Sequence, residues 1–175
     1  MIWIVLLACA AAAWTDLRSR RIPNAIPLCL AAAGAVLAAR GGWPELATFA
    51  AIGAAFAAIG VALVAIGTPL FALRLLGGGD VKLFAASAAT LGLGELPTFA
   101  LATLLCGGVL GIVVAGLHGR LRATLANVGA MAVPMISGTP VPRLDGGLKM
   151  PYAVAIFAGA TIAAGIQLAH SRPLP

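Results

Sequence analysis

Residues 98–117 read TFALATLLCGGVLGIVVAGL, a run without one charged side chain. At 1.5 Å per helical residue it is long enough to cross the roughly 30 Å hydrocarbon core of a bilayer. In lipid, where no water satisfies the backbone, such a run is helical. Comparable apolar stretches lie on either side of it, at 1–13, 25–39, 46–73, 81–91 and 151–169. Of the 175 residues, 62% are hydrophobic and 9% charged, with a mean hydropathy of +1.08. A typical soluble domain carries about 25% charged residues. The sequence therefore predicts an all-α integral membrane bundle of about six transmembrane helices. It reads as one domain over 1–175, with a longer connection at about 119–150 and the lipid bilayer as its surroundings.

A net charge of +6 in a soluble protein would point to nucleic acid. Here the basic residues read as topology signals, and no nucleic-acid partner is expected. The first apolar run has no Lys or Arg before it, and Arg18, Arg20 and Arg21 follow it, the reverse of a signal peptide. With the first helix entering from outside, the cytoplasmic loops hold Arg18, Arg20, Arg21, Arg74, Lys82, Arg120, Arg122, Arg143 and Lys149. The other side keeps Arg40 and Arg172. Nine against two orients six helices with both ends outside.

The same count isolates the chemistry, because the chain has only five acidic residues. Glu45 and Glu95 fall in outer turns and Asp145 in the long connection. Asp16 and Asp80 fall at helix boundaries on the cytoplasmic face. An acid at the membrane centre costs about 2.5 to 3.5 kcal/mol on insertion scales, so such residues sit at an interface or serve a function. Asp80 follows Gly77-Gly78-Gly79, a turn that gives access to positive φ and lets an extended chain approach without a Cβ in the way. Asp16 opens the polar stretch Asp16-Leu17-Arg18-Ser19-Arg20-Arg21-Ile22-Pro23-Asn24, in which Asn24 is placed to cap the second helix. Two carboxylates on one face suit aspartic-protease chemistry, since close carboxylates share a proton and so supply an acid and a base together. From spacing alone, helix capping by Asp80, or ion pairs with Arg18 and Lys82, account for the same residues.

Taken together, Gly77-x-Gly79-Asp80-Val81-Lys82-Leu83 resembles the GxGD signature of intramembrane aspartyl proteases, specifically of the prepilin peptidases. Asp16-x-Arg18-x-x-x-Ile22-Pro23-Asn24 is similar to their other aspartate motif, and Lys149-Met150-Pro151-Tyr152-Ala153 to the Pro-Tyr start of their last helix. The likeness is closest to the short members associated with tight-adherence (Flp) pili. It implies catalytic Asp16 and Asp80 and a location in the bacterial inner membrane. The implied substrate is a prepilin, a single-span hydrophobic helix with a leader, cut on the cytoplasmic side and typically after a glycine. Gly77, Gly78, Gly79, Arg18 and Lys82 are the expected substrate-binding residues, the two cations at the rim of the site.

Longer relatives add a region with paired C-x-x-C motifs and methylate the new pilin terminus. This chain has Cys9, Cys29 and Cys106, all in apolar runs and read as buried inert thiols, so no metal, cofactor or methyltransferase activity is expected. A lipoprotein signal peptidase also pairs two aspartates but acts at the outer face. A non-enzymatic pilus-assembly or transporter subunit would use the acids as ion-pair partners. The aspartyl reading predicts that the first and fourth helices are neighbours, with both carboxylates facing one polar cavity.

Overall fold

The computed structural model describes residues 1–65, 77–126 and 150–170, with side chains of the third helix described as far as Ile59. The helices are α1 (Ile2–Ser19), α2 (Ala25–Gly41), α3 (Trp43–Ala65), α4 (Gly78–Leu91), α5 (Leu96–Leu117) and α6 (Tyr152–His170). A further helical segment occupies 121–126, and no strand occurs among the described residues. The end of the 46–73 apolar run and the charges Arg74, Arg143, Asp145, Lys149 and Arg172 lie outside the described residues.

Where helix ends differ from the sequence reading, local chemistry explains the shift. α1 runs past its apolar stretch to Ser19, and Arg20 ends it in the left-handed conformation (φ 51°), donating its N–H to the Asp16 carbonyl at 2.8 Å. The expected loop at 40–45 shrinks to Gly42, whose φ of 107° is open to glycine alone, so α3 starts at Trp43. Asn24 precedes α2 without a side-chain cap, because its side chain is engaged elsewhere.

Among the described residues three helices, α1, α5 and α6, are long and apolar enough to cross a membrane. α2 and the Trp43–Ile59 part of α3 are shorter apolar helices. α4 has 14 residues, about 21 Å of rise, too little for a roughly 30 Å core. It is instead the central helix, packed against all five others. A helix so enclosed meets protein on its sides and can begin with a carboxylate.

Each packing face follows helical spacing. On α1 the buried stripe is Val5, Cys9, Ala12, Ala13 and Asp16; on α6 it is Ala153, Ile156, Ala160, Ala163 and Ala164. The α1 and α4 stripes meet where Cys9 Sγ lies 3.4 Å from Ser87 Oγ. Phe84 of α4 is held between Phe56 of α3, edge-on at 5.4 Å, and Phe99 of α5, stacked at 4.8 Å. Of the cysteines, Cys9 is buried and Cys106 half-buried, but Cys29 is exposed, correcting the expectation of three buried thiols. It lies on the outward side of α2, where it lines an apolar groove with α1 residues Leu7 and Ala8.

Small residues set the α5–α6 crossing. A Cβ at Gly159 would meet the Thr103 hydroxyl and lie 2.7 Å from its backbone nitrogen, while one at Gly107 would sit 2.9 Å from the Tyr152 hydroxyl. A Cβ at Gly111 would be in ordinary contact with Met150 Sδ at 3.5 Å, so Gly107 closely and Gly111 loosely seat the start of α6. Gly159→Ala is accordingly expected to destabilise the bundle by about 1 to 3 kcal/mol, since backbone cannot step aside. Gly165→Ala, which meets nothing within 4 Å, should be neutral or mildly stabilising through helix propensity. Thermal unfolding of both variants in detergent checks the contrast; equal midpoints would mean that the crossing is not close.

Candidate active site

Asp16 lies in the last turn of α1, on the buried stripe, and is 7% exposed. The spacing 5, 9, 12 and 16 carries it there: four residues after Ala12, it cannot turn outward without unpacking the helix. Its Oδ2 accepts the Ala153 N–H at 3.3 Å. The positive end of α6 therefore faces this carboxylate.

Asp80 enters from α4. It is the third helical residue, not the N-cap, and its Oδ2 reaches back to accept the Gly77 N–H at 3.0 Å. This is half of a capping box, Gly77 having no side chain to return the bond. The other oxygen, Oδ1, is buried without a hydrogen-bond partner among the described residues. A buried carboxylate oxygen left unmatched is costly and needs a proton, a water or a ligand to complete it. Asp80 is within the electrostatic field of Asp16 and in turn acts on Tyr152, the first residue of α6. α1, α4 and α6 thus bring two carboxylates and a phenol to one end of the bundle.

The glycine turn is tighter than the sequence suggests. Gly77 has φ −75°, and among the described residues only Gly42, Gly92 and Gly119 are glycines with positive φ, so 77–79 is not a left-handed turn. A Cβ at Gly77 would lie 2.9 Å from Asp80 Oδ2, and one at Gly79 would lie 3.0 Å from the Ile22 Cβ. The room that these glycines leave is occupied by the chain's own atoms. Of the three, Gly78 alone is open, with nothing within 4 Å among the described residues.

Neither expected rim cation is free. Arg18 lies over the exposed Trp14 ring, 5.6 Å from its centroid. Two residues from Asp16 is about 200° around a helix, so Arg18 is on the opposite side of α1. Arg20, four residues on, is the cation whose field reaches Asp16. Lys82 donates to Asn24 Oδ1 at 3.2 Å. The sequence reading missed Arg20, although the four-residue spacing marks it. It also missed Ala153, whose contribution is a backbone amide and leaves no trace in residue type. No three His, Cys, Asp or Glu side chains cluster as metal ligands among the described residues.

The model of the type IV leader peptidase family matches residues 3–112, a span that contains both aspartates, the 20–24 turn and the glycine turn. No curated protein and no solved structure matches the chain. With well over half of the chain matched, this membrane protein belongs to the type IV leader peptidase family, proteases of prepilin leaders.

Proposed function

We propose that the chain is an aspartyl endopeptidase that removes the leader of Flp-like prepilins at the cytoplasmic face of the bacterial inner membrane, with Asp16 and Asp80 as its catalytic pair. The observation that carries this reading is that two acids from separate helices lie at one end of the bundle, the charge of Asp16 reaching Asp80, whose Oδ1 is buried without a hydrogen-bond partner among the described residues. Like charges so placed favour one shared proton. The ionised member takes a proton from water, whose oxygen attacks the scissile carbonyl carbon. The protonated member polarises the carbonyl oxygen. Collapse of the tetrahedral adduct breaks the C–N bond, and the amine leaves with a proton. The Ala153 amide holds Asp16, and the Gly77 amide holds Asp80, so neither must reorganise on attack. Gly78 is the position at which an extended substrate backbone has room to pass.

The charge asymmetry of the loops supports the cytoplasmic orientation. Purified protein incubated in detergent with single-span Flp-type and longer type IV precursors tests the proposal. Mass spectrometry should locate one cut between leader and apolar helix, with the Flp-type precursor preferred. A cut within the apolar helix, or preference for the longer precursor, would reject the corresponding part.

A further inference from the structure

Two of the motifs singled out in the sequence, Ile22-Pro23-Asn24 and Gly79-Asp80-Val81-Lys82, do more than lie near the acids; they are fastened to each other. Ile22 fills the space beside Gly79 so closely that a Cβ there would stand 3.0 Å from the Ile22 Cβ and 3.4 Å from its carbonyl oxygen. One helical turn on, Lys82 donates to Asn24 Oδ1 at 3.2 Å. The two contacts flank Asp80 in sequence. On the other side the turn is tied to Asp16, because the Arg20 N–H that closes α1 bonds the Asp16 carbonyl at 2.8 Å. A short and unbroken path of fixed geometry therefore runs from one carboxylate to the other. Asn24, which the sequence offers as a helix cap, makes no cap bond and spends its side chain on Lys82.

We infer that the Ile22–Asn24 turn and the Gly79–Lys82 turn form a clasp that fixes the spacing of Asp16 and Asp80, with Asn24 and Lys82 as positioning residues and Lys82 not a substrate-binding cation. The inference rests on the two acids being the catalytic pair. Further inside the bundle α1 and α4 are joined by the Cys9–Ser87 contact. At the catalytic end the clasp, an exposed Asn24–Lys82 bond beside the Ile22–Gly79 contact, adds to the hold that the Ala153 and Gly77 amides have on the two acids. Displacement of a catalytic group by about 1 Å can cost a hundredfold in rate, so a contact that touches no substrate can still govern turnover.

Kinetics on Asn24→Leu, Lys82→Met and the double variant test this. Each single change should lower kcat about tenfold or more with KM unchanged, and the double variant should be no worse than the poorer single, since one bond is lost in all three. Asn24→Asp and Lys82→Arg, which keep acceptor and donor, should restore most of kcat. A rise in KM for Lys82→Met that multiplies with the effect of Asn24→Leu would overturn the clasp and return Lys82 to substrate binding. A second measurement does not depend on which groups perform the chemistry. In protein carrying Cys9→Ala, Cys29→Ser and Cys106→Ala, the changes Asp16→Cys and Asp80→Cys are joined by a short bis-maleimide. Adding Asn24→Leu should slow cross-linking several-fold; an unchanged rate would show that the clasp does not set the spacing, whatever the fate of the aspartyl mechanism.

Discussion

Asp16→Asn and Asp80→Asn are each expected to abolish leader cleavage, with turnover lowered by a factor on the order of 10³ or more, while insertion and folding persist. Asparagine keeps the size of the side chain and its carbonyl acceptor. The Ala153 N–H still has an oxygen to meet at position 16, and the Gly77 N–H at position 80. What is lost is the exchangeable proton and the negative charge. Because one acid and one base are shared between two groups, neither alone does half of the work, and the double variant should be little slower than either single. Single-turnover cleavage of the preferred precursor, with circular dichroism to monitor helix content, reads the outcome. Near-native turnover by either variant would remove that residue from the mechanism. Asp80→Asn also places a neutral amide where Oδ1 is buried and unpartnered, so this variant should be at least as stable as the parent, a result that a purely structural carboxylate would not give.

Gly79→Val is expected to have the next largest effect. A Cβ at 79 already stands 3.0 Å from the Ile22 Cβ, and the two methyl groups of valine would push the 20–24 turn from α4. Overpacking of this kind costs about 1 to 3 kcal/mol, and here it also moves Asp80 relative to Asp16. Cleavage should fall by about two orders of magnitude, with stability reduced by that modest amount. Comparison along the turn separates the causes. Gly77→Ala crowds Asp80 Oδ2 at 2.9 Å and should depress kcat; Gly78→Ala meets none of the described residues and should fold normally, raising KM if the substrate passes there. Normal cleavage by Gly79→Val would show that Ile22 yields freely and that the turn is only a connector.

The bundle itself was legible from composition. With 9% charged residues and repeated apolar runs there is no soluble way to bury the chain, and lipid leaves helix as the form that satisfies each backbone. The order of the helices, the shortness of α4 and the isolation of Asp16 and Asp80 among five acids follow from the same physics, because hydropathy and charge act locally along the chain. Even the burial of Asp16 is written in the spacing from Val5 through Cys9 and Ala12.

Tertiary structure decided what the polar side chains do. Arg18 and Lys82 look alike in sequence as rim cations, yet one lies over Trp14 on the far side of α1 and the other is held by Asn24, from a turn 58 residues away. The Gly79 space was legible, but its occupant was not: a missing Cβ admits any neighbour, and only the packing of α1 and α2 against α4 brings Ile22, from the turn between them, to that space. Likewise the amide of Ala153 reaches Asp16 across 137 positions because Gly107 and Gly111 seat the start of α6. Such contacts depend on how helices cross, which is set by many small side chains at once, whereas solvent preference is carried by each residue on its own.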